Sequence, residues 1–222
     1  MNITFSIEYM LPSKQSVTLT SEPVNMKEAK FLLTDLKKQK NIKNIVMEDE
    51  YGSSWSEKEL TIYLKKLQEE PHDVIITFDG GYNKTTGKAG LGAVIYYVQN
   101  NIQYRKRINS LLDLIQDNNE AEFAALYFAI QQLEDIGIRQ QTVQIQGDSM
   151  QVIHQMNDEW PVTNEVFHYW IDKIEQKMKE AGIRATYELL PRNKNKHADK
   201  LASQALAGEQ INALLEVDKD FI

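Results

Sequence analysis

Cysteine is absent from the 222 residues. That excludes disulfides and thiolate metal sites. Long apolar runs are missing too: no stretch approaches the roughly 20 apolar residues that span a bilayer. The opening MNITFSIEYMLPSK lacks the basic start, apolar core and small-residue cleavage site of a signal peptide. The expectation is a soluble, cytoplasmic protein. Histidine is scarce, and His72, His154, His168 and His197 show no metal-ligand spacing, so they read as structural or surface residues. Basic residues are outnumbered, with 25 Lys+Arg against 32 Asp+Glu and a net charge of −7. This argues against a binder that grips nucleic acid through a generally basic surface. It leaves room for one that handles polyanions through bound cations, which offset local negative charge.

What is present suffices for a core: hydrophobic residues make up 42% of the chain, and the length suits one large domain or two small ones. Residues 1–70 alternate short strand and helix patterns. ITFSIEYML and SVTLTSE have partial period-2 patterning, MKEAKFLLTDLKKQ has helical spacing, and IKNIVME reads as a strand. SWSEKELTIYLKKLQ opens with a Ser-x-x-Glu capping box from Ser54 or Ser56. The result is a small α+β unit of order ββαβα, with a polar, Pro-containing boundary at Glu69–His72. From residue 73 the order is βββαβααβα. VIITFDGGYN, LGAVIYYVQ and IQYRKRINSL form an antiparallel meander, with Asn100-Asn101 between the last two. Two later helices end at Gly137 and Gly182, good C-terminal residues. Residues 208–222 read as a tail holding at most one more short helix.

Four acids stand out by position. Asp79 closes the first apolar strand before two glycines. Taken singly it is a turn residue, or its glycines admit the close approach of another backbone. Asp148 closes TVQIQGD, where it or Ser149 suits a helix N-cap. Asp199 lies in the first turn of HADKLASQAL, where a carboxylate offsets the helix dipole. Glu122, in DNNEAEFAAL, is the most informative. Asn119 and Glu122 have capping-box spacing, yet at 100° per residue Glu122 sits within the stripe Ala125, Leu126, Ala129 and Leu133. Glu120 falls roughly 160° away and is expected in solvent. A carboxylate on an apolar face is costly unless paired or coordinated. Acids gathered in one place cannot all stay ionised without cations, and hard oxygen ligands suit Mg²⁺ or Mn²⁺. A site with two such ions ~3.5–4 Å apart stabilises both the attacking and the leaving oxygen in phosphodiester hydrolysis.

These motifs, in this order, resemble the type 1 ribonuclease H family over about residues 73–207. The matching pieces are Asp79-Gly80-Gly81, Asn118-Asn119-Glu120-Ala121-Glu122, Asp148-Ser149, and Asn195 through Ala202 in NKHADKLA, with GLGAVI as a matching strand. The resemblance implies an α/β fold, a five-stranded mixed sheet flanked by helices, preceded here by the small α+β domain 1–70 and followed by the tail 208–222. It implies a metal-dependent endonuclease that hydrolyses the RNA strand of RNA–DNA hybrids and leaves 5′-phosphates. Asp79, Glu122, Asp148 and Asp199 would be catalytic and would bind two Mg²⁺ ions, with Mn²⁺ as a substitute. Gly80, Gly81, Asn118, Asn119, Ser149 and Asn195 would contact substrate, with backbone and 2′-hydroxyl contacts distinguishing RNA from DNA.

The chain departs from the family pattern in four places. Asp117 stands where Thr is frequent, and an acid there repels phosphate. The region 157–164, NDEWPVTN, lacks a lysine-rich protrusion. LLPRNKNK lacks the mobile histidine of some members, and His197 lies too close to Asp199 to replace it. Residues 1–70 are neither basic nor Gly/Trp-rich, unlike the hybrid-binding domain of some relatives; their open roles are positioning nucleic acid, binding a protein partner and forming a dimer interface. The competing readings are a catalytically weak or inactive nucleic-acid-binding adaptor that keeps the fold, and a nuclease with another nucleic-acid substrate, since fold does not dictate substrate.

Overall fold

The β-branched and aromatic run at 74–78 makes a strand, as its patterning predicts, but the strand does not stop at Asp79. In the computed structural model, which describes residues 1–218, it continues through both glycines to Asn83. The chain divides into two compact units, Met1–Glu69 and Glu70–Ile222.

In the first unit, β1 (Asn2–Met10) is central. It pairs antiparallel with β2 (Ser16–Thr20), β3 (Val24–Asn25) and β4 (Ile42–Asp49), and β4 pairs in turn with β5 (Ser54–Trp55). Alternation along β1 buries Ile3, Phe5 and Ile7 on one face. They pack with Met47, with Ala29 and Leu33 of α1 (Met26–Leu36), and with Leu60 and Leu64 of α2 (Glu57–Glu69). The two-residue strands β3 and β5 are additions to the expected ββαβα order. Ser56, not Ser54, caps α2: its Oγ accepts from the Glu59 amide at 3.2 Å, and Glu59 accepts from the Ser56 amide at 2.7 Å. That reciprocal pair satisfies two donors otherwise left open at a helix start.

The second unit is a six-stranded mixed sheet. Its strands are β6 (His72–Asn83), β7 (Lys88–Gln99), β8 (Ile102–Leu112), β9 (Thr142–Gly147), β10 (Arg184–Leu189) and β11 (Asn212–Val217), in the order β10-β9-β6-β7-β8-β11. β9 runs parallel to β6 and β10, and the remaining pairs are antiparallel. Asn100 and Asn101 both have positive φ, at 53° and 62°, the backbone of a type I′ hairpin turn. The helices are α3 (Asn118–Ile136), α4 (Met150–Met156), α5 (Glu165–Ala181) and α6 (Lys196–Leu206).

Two expectations are corrected. The sheet has six strands rather than five, because the segment read as a tail supplies β11, a strand on the β8 edge rather than a helix; residues 219–222 lie outside the described residues. The buried Asn109 side chain directs the chain there. It donates to the carbonyls of Leu201 and Glu209 at 3.0 and 2.9 Å and accepts from the Ile211 amide at 2.7 Å.

Asp79-Gly80-Gly81 is also not a turn. Its glycines serve helix packing. A Cβ on Gly80 would lie 2.2 Å from the Ala121 carbonyl oxygen of α3, and one on Gly92 would lie 2.3 Å from the Ala198 carbonyl oxygen of α6. The backbones of α3 and α6 therefore rest directly on opposite faces of the β6–β7 pair. Gly92→Ala is expected to destabilise the fold by about 3 kcal/mol or more, at or above the usual range for overpacking because the obstacle is backbone. Urea unfolding reads this as a lower midpoint.

Candidate functional site

β6, α3, β9 and α6 each bring one of the four acids to a single cleft. Asp79 registers opposite Gly92, the glycine against which α6 packs, so its side chain is on the α6 face. Glu122 comes from the opposite face in the first turns of α3, and its Oε2 accepts from the Gly80 amide at 3.1 Å. Asp148 follows β9. Its Oδ1 accepts from Asn195 Nδ2 at 2.7 Å, and the same nitrogen donates to the Phe78 carbonyl at 2.8 Å. Oxygens of Asp79, Glu122 and Asp148 lie within 4.8 Å of one another. Asp199 stands outside this triad but lines the same cleft of about 480 Å³.

The electrostatics follow from the crowding. Burial, then the nearby Asp148 and Asp199, push the Asp79 carboxyl up to about 7. Burial, then Asp79, push Glu122 up to about 9, against the opposing hydrogen bond from Gly80. Arg192, a cationic side chain beside the triad, is 90% exposed with its Nε 3.9 Å from Asp148, too solvated to neutralise the group. Three hard oxygen donors short of positive charge are the donor set of a divalent cation bound through carboxylates. On that chemistry the residues fit a metal.

Gly80, Gly81, Asn118, Asn119 and Ser149 line the cleft as well. Ser149 in addition caps α4, accepting from the Val152 amide at 3.4 Å. Asn195 is placed differently from the expectation of a substrate contact. It is 1% exposed and sits behind Asp148, where it holds the carboxylate to β6 at the point α6 begins.

Two readings of DNNEAEFAAL are overturned. The cap of α3 is Asp117, which accepts from the Glu120 amide at 2.8 Å, so the capping pair is two residues earlier than Asn119 and Glu122. Glu120 is not in solvent but 7% exposed. It accepts from the Gln116 amide at 2.7 Å and from Trp170 Nε1 at 3.2 Å. The reason is that α3 is covered on both sides, by the sheet and by α5. Phe123 meets Phe167 with ring centroids 5.2 Å apart, and Tyr127 meets Trp170 at 5.7 Å. A single apolar stripe cannot reveal a second buried face.

Trp160, Arg192, Met150 and Gln151 also line the cleft and escaped the reading of the sequence. Trp160 is 42% exposed and stacks on His154 at 4.6 Å. Gln155 braces its loop by donating to the Pro161 carbonyl at 2.9 Å. A tryptophan in the otherwise polar NDEWP was the available signal. Three of the histidines have local partners: His72 pairs with Asp73, His154 with Glu159, and His168 with the Val162 carbonyl. Partial burial and the cations Arg105, Arg107 and Lys200 lower His197. Among the described residues, no helix is long and apolar enough to cross a membrane.

Comparison with known proteins agrees with this architecture. The reverse transcriptase-like family model matches residues 77–205, more than half of the chain. The uncharacterised protein YpeP of Bacillus subtilis is 35% identical over 206 residues, covering 92% of this chain and 91% of that one. The bifunctional protein Rv2228c of Mycobacterium tuberculosis is 27% identical over 65% of this chain, which spans only 38% of that longer protein. Among solved structures, LC11-RNase H1 from a compost metagenome, in complex with an RNA/DNA hybrid, superposes with a TM-score of 0.54 at 25% identity, over 61% of this chain and 98% of that one. The match over residues 77–205 and the kinship with YpeP along nearly the whole chain make this protein a member of the reverse transcriptase-like family, built on the type 1 ribonuclease H fold.

Proposed function

We propose that the chain is a metal-dependent endonuclease that hydrolyses the RNA strand of RNA–DNA hybrids. The observation that carries this reading is the convergence of Asp79, Glu122 and Asp148 within 4.8 Å, with Asp199 on the same cleft. A relative of the same fold in complex with an RNA/DNA hybrid supports the substrate class. Asp79, Glu122, Asp148 and Asp199 would hold two divalent cations, Mg²⁺ or Mn²⁺, which when bound supply Lewis-acid stabilisation of charge on the reacting oxygens. Water adds to phosphorus, the P–O3′ bond breaks, and the fragments carry a 3′-hydroxyl and a 5′-phosphate.

The chain's own residues position and select. Asn195 holds the Asp148 carboxylate towards the cleft, and the Gly80 amide does the same for Glu122 Oε2. Asn118, Asn119, Gly80 and Gly81 offer small polar side chains and backbone to a strand in the cleft, the kind of contact that reads a 2′-hydroxyl. Trp160 offers a π-face on the same wall. Since stacking one base on an aromatic ring contributes about 1–3 kcal/mol, Trp160→Ala is expected to weaken hybrid binding by roughly 5–150-fold in fluorescence anisotropy. The central test is incubation of the protein with labelled hybrid, single-stranded RNA, duplex RNA and duplex DNA in Mg²⁺ or Mn²⁺. Cleavage of the RNA in the hybrid supports the proposal, and failure to cut it under both cations rejects it.

A second reading, a nucleic-acid-binding protein with attenuated turnover, is favoured by Asp117. This carboxylate occupies the N-terminus of α3, where backbone amides otherwise attract a phosphate. Asp117→Thr keeps a capping oxygen and removes the charge. It is expected to tighten hybrid binding several-fold and raise cleavage at subsaturating substrate. Residues 1–70 are assigned an accessory role to the nuclease unit, readable by comparing the full chain with residues 73–222.

A further inference from the structure

Residues 88–112, which make up β7, the turn and β8, contain no Asp or Glu but do contain Lys88, Arg105, Lys106 and Arg107. Arg105 and Arg107 register opposite Tyr96 and Val94. Directly paired residues share a sheet face, and Val94 and Tyr96 pack against Leu201 of α6. Both arginines therefore lie on the face that carries α6 and Asp79. His197 precedes Leu201 by one helical turn, and its cationic neighbours are Arg105, Arg107 and Lys200. The Nε of Arg107 is buried and has no hydrogen-bond partner among the described residues. Glu216 and Asp218 share a surface cleft with Arg105, so Arg107 and Lys200 carry the argument.

This cluster is joined to the acidic cleft. Residues 192–200, RNKNKHADK, hold four Lys/Arg and one acid, Asp199. Arg192 lines the cleft, and Lys194, Lys196 and Lys200 are exposed as the chain passes through a 3-10 turn into α6. In a chain of net charge −7, the sign reverses locally along one path that starts at the cleft. A duplex carries one negative charge per ~1.7 Å of its axis. Such a ligand, held at the cleft, has phosphates to place along that path; a short acidic peptide would need no continuity with it.

We propose that Arg107 and Lys200, reached from the cleft by way of Lys194 and Lys196, bind the phosphodiester backbone of the nucleic acid where it extends beyond the cleft. The inference rests on the nucleic-acid reading above. Neither residue is catalytic; they extend the footprint.

The test is fluorescence anisotropy on the full chain carrying Asp148→Asn, with hybrids of about 8 and about 24 base pairs across a salt series, with and without Arg107→Gln plus Lys200→Gln. Each lost phosphate contact lowers the slope of log K against log salt by about 0.9. The expected result on the long hybrid is a slope smaller by about 2 and affinity lower by at least about fivefold, with little change on the short one. Lys200→Glu alone, at an exposed helix position, serves if the double variant fails to fold. Unchanged slope and affinity on the long hybrid overturn the inference, as does equal loss on both lengths, which places the defect in the cleft. Loss of binding to poly-glutamate with hybrid binding intact overturns it in favour of a protein partner. Cleavage by the wild type, run in parallel, separates the two proposals. A cutting enzyme with an unchanged slope keeps the nuclease reading and rejects this one, and a non-cutting protein whose slope falls does the reverse. Absence of binding to either hybrid rejects both.

Discussion

Asp148→Asn is expected to reduce hybrid cleavage by at least about 10²–10³-fold, the loss that follows removal of a single group stabilising developing charge, while hybrid binding and folding stay near wild type. The separation is expected because of where the charge sits. Asp148 accepts from Asn195 Nδ2 at 2.7 Å, and an asparagine carbonyl oxygen in the same place still accepts that bond. The tie from Asn195 to the Phe78 carbonyl at 2.8 Å is untouched. What disappears is one hard anionic donor from a triad whose oxygens lie within 4.8 Å, and with it affinity for a divalent cation. Gel-resolved cleavage over a metal titration, with circular dichroism melting in parallel, reads both sides. Turnover equal to wild type at saturating Mg²⁺ or Mn²⁺ would remove Asp148 from the reaction.

The second large effect is on stability. In the cation-free protein, Asp79 titrates at about 7 and Glu122 at about 9, against ordinary values of 3.8 and 4.5. Folded protein therefore binds more protons than unfolded protein between those values, and stability falls as pH rises. The loss begins above the unfolded values near pH 4, is complete for Asp79 once pH passes about 7, and continues for Glu122 to about 9. In chelator, the Tm is expected to fall by about 10 °C or more from pH 5 to pH 9, most steeply between pH 5 and 7 where both groups contribute, since each pH unit of differential proton binding is worth ~1.4 kcal/mol per group and 1 kcal/mol moves Tm by about 2–4 °C at this size. Glu122→Gln removes much of the slope, because the amide oxygen accepts from Gly80 without a charge. A divalent cation at about 100 times its Kd restores about 2.7 kcal/mol, most strongly at high pH, where it no longer competes with protons. A Tm independent of pH in chelator, or one that Mn²⁺ fails to raise, would contradict the proposed charge state of the cleft.

Particular residues show how much the sequence discloses and where it stops. Glu122 is legible twice over, from its helical phase and from a family motif, because a carboxylate on an apolar stripe conflicts with burial and calls for a reason. Asp79, Asp148 and Asp199 are legible only together, since each alone suits a turn or a cap. Glu120 misleads because its partner Trp170 is 50 residues away on a helix whose packing against α3 has no local signature. β11 is missed because NALLEV is a short segment whose pairing with β8 depends on the Asn109 clamp. Asn195 matches a motif correctly, yet its role depends on depth, which a motif does not encode.

The glycines at positions 80 and 92 have a consequence for heat. Glu122 rides on a helix that touches the Asp79 strand backbone to backbone at Gly80, and Asp199 on one that touches the neighbouring strand β7 in the same way at Gly92, with no side chain between to act as a compressible spacer. The spacing of the acids is then inherited from main-chain contacts in the centre of the sheet, among the last to open under thermal stress. Such a cleft has no soft mode of its own through which to decay. Catalytic competence and native structure should disappear over the same few degrees, leaving no interval in which an intact but disarmed protein accumulates.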